Sequence, residues 1–102
     1  MEIIWTKRAV THLEDIHKFY SEKSLSVANN LYNDLIESVD PLVNSPQMAQ
    51  KEEALIHLKK GYRALVVKKK FKIVYYINEE FVYIVAVLDC RQSPKSNINK
   101  VK

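Results

Sequence analysis

Residues 61–88 read GYRALVVKKKFKIVYYINEEFVYIVAVL, and this stretch decides the fold. Three runs within it, Tyr62–Val67, Phe71–Ile77 and Phe81–Leu88, are rich in β-branched and aromatic residues, the composition of strands. The connectors between them, Lys68-Lys69-Lys70 and Asn78-Glu79-Glu80, are too short for anything but antiparallel hairpins. Side chains alternate between the faces of a strand. Folding the first hairpin about Val67-Lys68 sets Arg63 opposite Lys72 and Leu65 opposite Lys70 on one face. Ala64, Val66, Phe71, Ile73, Tyr75 and Ile77 then share the other. Continued alternation in the last strand adds Tyr83, Val85, Val87 and Arg91 to the first face. This register gathers Arg63, Lys72 and Arg91 on a basic face and turns an apolar face to the rest of the chain. It depends on the loop, because a slip of one residue exchanges the faces.

Upstream of Gly61 the periodicity is helical. Residues 2–5 are a short apolar strand, and Thr6 stands where an N-cap belongs. Ala9, Leu13, Ile16 and Tyr20 then recur at helical spacing, with Phe19 beside them, predicting a helix over about 7–22. Ser24 caps a second helix, whose broad stripe runs through Ala28, Leu31, Tyr32, Leu35, Ile36, Val39, Leu42 and Val43. Asp40-Pro41 kinks or restarts it, and Asn44-Ser45-Pro46 stops it. Residues 47–60 fit either a helical turn over Glu52–Leu58 or a long loop. The expected class is α+β in the order β-α-α-β-β-β: a two-helix antiparallel hairpin on one face of a small, mostly antiparallel sheet.

Length and composition narrow the function. A chain of 102 residues is one domain, and 47% hydrophobic with 27% charged residues fits a soluble globular fold. No apolar run approaches a membrane span, and the N-terminus has no export signal. A single cysteine, Cys90, suits a cytoplasmic protein. Charge is divided unevenly: residues 1–50 carry net −3 and residues 51–102 net +7. A basic half of this kind suits a phosphate-bearing or acidic partner. Arg and Lys converging on one sheet face are one way to hold a phosphate. A solvated sheet face is the simpler account of the same residues, as a charge that deters edge pairing is for Lys68-Lys69-Lys70. His12, His17 and His57 lack metal-ligand spacing, and there is neither a Gly-rich phosphate loop nor a nucleophile elbow. No metal or cofactor is expected.

The chain resembles the RelE/ParE family of bacterial type II toxins over about residues 2–95. The residues that carry the likeness are Ile4-Trp5-Thr6 with Ala9, Leu13 and Ile16, then Leu42 with Pro46. Gly61-Tyr62-Arg63, Phe71-Lys72-Ile73-Val74-Tyr75 and Val87-Leu88-Asp89-Cys90-Arg91-Gln92 follow in the family's order. The resemblance implies one toxin domain at 1–95 with a basic tail at 96–102. It also implies a cytoplasmic location and a cognate antitoxin that folds onto the toxin in a hetero-oligomer. RelE-like members cleave messenger RNA on the ribosome without a metal, using a Lys/Arg cluster and a tyrosine near the C-terminus. Arg63 matches a basic position of that cluster, Lys72 stands at the position of its arginine, and Arg91 lies at or one place from the third. Leu65, however, stands where a lysine belongs, and no tyrosine follows Arg91. ParE-like members poison DNA gyrase. The resemblance therefore implies a ParE-like toxin first, with gyrase as target, and a ribosome-dependent mRNA endoribonuclease second. On either branch Arg63, Lys68, Lys69, Lys70, Lys72 and Arg91 form the expected target or antitoxin surface.

Overall fold

The computed structural model describes residues 1–58 and 60–89. Cys90, Arg91 and the basic tail 96–102 lie outside the described residues. The elements are β1 (Glu2–Trp5), α1 (Lys7–Ser21), α2 (Leu25–Glu37), β2 (Gln50–Lys51), β3 (Arg63–Val67), β4 (Phe71–Asn78) and β5 (Phe81–Asp89). Two 3-10 turns, Asp40–Val43 and Glu53–Leu58, interrupt the links. The sheet order is β1-β5-β4-β3-β2, with β1 parallel to β5 and every other pairing antiparallel. The expected order of elements is realised, with a two-residue strand and a 3-10 turn taking up the segment whose sequence fitted either turn or loop.

Local chemistry accounts for the element ends. The Thr6 hydroxyl accepts the Ala9 N–H at 3.3 Å and donates to the Ile84 carbonyl at 2.8 Å, so one side chain caps α1 and pins it to β5. Ser24 accepts the Val27 N–H at 3.2 Å and starts α2. Pro41 disfavours a helical conformation at Asp40; α2 ends at Glu37 and the chain resumes as the 3-10 turn with Pro41 in its first turn.

The two helices bury Ala9, Leu13, Leu31 and Leu35 against Phe71, Ile73, Tyr75, Val82, Ile84 and Val87 of the sheet. Burial of this apolar area is the main force holding the layers together. A second cluster, Leu55, Tyr62, Val74, Ala86 and Leu88, sits apart from it, with Leu58, Tyr76 and Val85 packed alongside. The sheet therefore buries apolar side chains on both faces. A bulge on β5 lets this happen: Tyr75 pairs with Ile84 but Val74 with Ala86, so the strand gains a residue at Val85.

Candidate functional site

The first hairpin's register decides where each candidate cation goes. Arg63 pairs with Tyr75, Leu65 with Ile73, Val66 with Lys72 and Val67 with Phe71. Relative to the sequence expectation, which set Arg63 against Lys72, β3 has moved by three positions. An odd shift inverts the faces of one strand against the other. Phe71, Ile73, Tyr75 and Ile77 keep the helix-facing side expected of them. Ala64 and Val66 do not: they share the opposite face with Lys72, and Val66 is 57% exposed. Arg63 joins the helix side instead, and the β5 bulge sends Val87 there as well. The single basic face gathering Arg63 and Lys72 is thus not formed. Arg91 falls outside the described residues.

The cause is the loop. The Lys70 N–H donates to the Val67 carbonyl at 3.2 Å, closing a tight turn around Lys68 and Lys69. Those two have φ of 55° and 61°, the left-handed values that the favoured hairpin turns require. Side chains in that region cost roughly 1 kcal/mol each, which glycine would avoid. The three lysines form an exposed tip. Lys68 reaches Asp34 of α2 at 2.9 Å, but both side chains are about half exposed, so the pair adds little stability.

Arg63 and Lys72 are each tied to the chain segment that precedes β3. The Arg63 guanidinium donates to the Ala49 carbonyl at 2.7 Å and more weakly to that of Gln47 at 3.4 Å. Lys72 donates to a Glu52 carboxylate oxygen at 2.8 Å on the other side of the sheet. Tyr75, fully buried beside Arg63, donates its hydroxyl to the Pro46 carbonyl at 2.7 Å. Separated by the sheet, Arg63 and Lys72 cannot grip one phosphate together. Their bonds hold the 46–52 segment against the strands.

Burial raises the Tyr75 phenol above its ordinary value of 10.0, with a backbone hydrogen bond at Ala49 and the Arg63 charge working in the opposite direction. A raised phenol favours the folded state while it is protonated. Its contribution is therefore complete below pH 10.0 and is lost as pH rises through the higher folded value. Tyr75→Phe is expected to cost about 1 kcal/mol at neutral pH through the lost hydrogen bond, and to flatten the alkaline fall in stability. Urea midpoints for the two proteins across the alkaline range check this; parallel curves would refute the assignment.

A groove of about 370 Å³ runs between the lysine tip and α2. Tyr20, Val27, Leu31 and Phe71 supply apolar lining; Lys68 and Lys70 are beside them, with Asn30 and with Asp34, the carboxylate paired to Lys68. Nearby on the helix hairpin, Phe19, Leu25 and Val27 are 51%, 60% and 53% exposed. An apolar channel edged by two lysines against one carboxylate keeps a net positive rim, which suits an amphipathic, acidic segment.

The family model for the ParE toxin of the type II toxin–antitoxin system parDE matches residues 3–94, nearly the whole chain. The chain belongs to the ParE toxin family. Comparison with curated protein sequences returns no match. Among solved structures, the chain is similar to one described as the chromosomal ParDE TA system from P. aeruginosa. The TM-score is 0.75 at 22% identity, covering 87% of this chain and 95% of that one. At that identity the likeness is one of fold. As a ParE-family member, the protein has its two-helix hairpin and five-stranded sheet in the arrangement described above. Among the described residues no cluster of His, Cys, Asp and Glu could hold a metal, and no helix is long and apolar enough to cross a membrane.

Sequence reasoning named the tip lysines but missed the groove beside them. Its signal was available in Leu25 and Val27. They lie off the stripe of Ala28, Leu31 and Leu35, on a helix whose buried face is already complete.

Proposed function

We propose that this ParE-family protein is the toxin of a type II module, arresting growth by engaging DNA gyrase in the cytoplasm. A cognate antitoxin neutralises it by laying an acidic, amphipathic segment into the groove between α2 and the lysine tip. The family match over residues 3–94 carries the reading. The apolar groove and its lysines support the antitoxin's place. So does the tip's backbone: left-handed φ at Lys68 and Lys69 keeps charge where glycine would be more stable. The alternative, a ribosome-dependent mRNA endoribonuclease, needs Arg63 and Lys72 on one phosphate. Their opposite faces weigh against it.

The test is expression of the chain without its antitoxin, followed by a supercoiling assay with purified gyrase. Growth arrest, an SOS response and gyrase-linked DNA breaks are expected. Lys72→Gln, which removes a cation and leaves the Arg63 contacts in place, should arrest growth as fully as the parent. Normal supercoiling in arrested cells, with messages cut in the ribosomal A site and cutting lost in Lys72→Gln, would instead establish the nuclease. Uninhibited growth at full expression would defeat both.

A further inference from the structure

Where the helix-free face of the sheet meets the start of α1 lies a second cleft, of about 590 Å³. Lys7, Arg8 and Lys60 line it with Tyr62, Tyr76 and Val85, and among the described residues none that lines it is acidic. This volume is within the usual range of small-molecule sites. The Tyr76 ring is held flat by its neighbours: it stacks on Tyr83 with centroids 5.2 Å apart and 20° between planes, and meets Tyr62 edge-on at 5.8 Å. The Lys60 ammonium lies 5.1 Å from the Tyr76 centroid. Lys7 and Arg8 occupy the first turn of α1, which has no acidic residue. The partial positive charge of a helix start favours anions there, so two cations at this end are placed against the local field. A fixed aromatic platform beside cations that the helix does not itself favour is a combination suited to a flat ring bearing a negative charge.

We propose that this cleft binds a nucleoside phosphate, with the base against the Tyr76 ring and the phosphate among Lys7, Arg8 and Lys60. Lys60, exposed and on a flexible stem, leaves the ring for the phosphate as the base enters. The same chemistry is offered by a free nucleotide and by one unit of a single strand. The site is separate from the antitoxin groove, and binding to it does not depend on which cellular target the toxin has.

The test is a titration of the isotopically labelled full chain, followed by amide NMR. The probes are adenosine 5′-monophosphate, adenosine, inorganic phosphate and a short oligodeoxyadenylate. Saturable shifts with the monophosphate are expected at residues 6–8, 60–62 and 76. Adenosine or phosphate alone should bind at least about tenfold more weakly. Lys7→Ala with Lys60→Ala, and separately Tyr76→Leu, should each weaken the monophosphate by about tenfold or more. Lys69→Ala should leave it unchanged, since that residue is on the distant hairpin tip. An oligonucleotide that binds at least about tenfold tighter than the monophosphate, with strong salt dependence, identifies a single strand as the source; equal affinity identifies the free nucleotide. The absence of saturable shifts at about 10 mM monophosphate, or shifts that survive in both variants, would overturn the site. Phosphate matching the monophosphate would overturn the role of the ring.

Discussion

Reversing the charge of the hairpin tip, with Lys68, Lys69 and Lys70 all changed to glutamate, is expected to weaken antitoxin binding by about 100-fold or more. The expected loss comes from the geometry of the groove. On the proposed seating of the antitoxin, the apolar walls select for shape, and selectivity for an acidic segment falls to the cations beside them. Three substitutions replace three positive charges by three negative ones, and like charges facing each other across an interface cost several kcal/mol. The fold should tolerate the change. The tip is exposed, the Lys68–Asp34 pair lies about half in solvent, and glutamate is no worse than lysine at left-handed φ. Binding of the antitoxin segment would be measured by titration at two salt concentrations. The parent should lose affinity as salt rises, and the variant should bind weakly at both. In cells, the variant should stay toxic while antitoxin co-expression no longer rescues growth. Undiminished affinity in a well-folded variant would move the antitoxin segment away from the tip.

The class of fold was legible because its signals were redundant. Three β-rich runs with short polar connectors can only be a meander, and Thr6 and Ser24 mark helix starts that the backbone amides then confirm. The basic composition of the second half was legible too. Its geometry was not, for reasons that lie in two short segments. At Lys68-Lys69-Lys70, nothing in the residue types announces left-handed backbone, since the tight turn is made without the glycine or asparagine that would mark it. The loop length counted from the sequence therefore misplaced the register by an odd number. At Val85, a bulge interrupts an unbroken apolar run, and alternation alone cannot locate an extra residue in such a run. Each of these local events moves distant side chains across the sheet. The first separates Arg63 from Lys72, and the second takes Val87 to the helices. Long-range hydrogen bonds of Arg63 and Lys72 to the 46–52 segment were likewise hidden, because partners 14 and 20 positions away leave no periodic trace.

A pair of aspartate substitutions distinguishes the two registers by a large contrast in stability. Ile73→Asp is expected to unfold the chain at room temperature, whereas Val66→Asp should change stability by no more than about 1 kcal/mol. The sequence pattern placed both residues on the helix-facing side. In the structure Ile73 is fully buried among the residues between sheet and helices, while Val66 pairs with Lys72 on the other face. A carboxylate at position 73 would lose its hydration and find only apolar neighbours. Its cost, several kcal/mol even if it takes up a proton, is comparable with the whole stability of a small domain, about 5–15 kcal/mol. At position 66 the carboxylate stays in water, directly across from an ammonium that already engages Glu52. Opposite charges paired across strands contribute a few tenths of a kcal/mol, which offsets part of the strand propensity lost with valine. Urea denaturation of both purified variants, followed by circular dichroism, gives the comparison. If Val66→Asp proves as damaging as Ile73→Asp, both side chains face the helices. Arg63 and Lys72 would then regain a common face, and with it the phosphate grip on which the nuclease alternative depends.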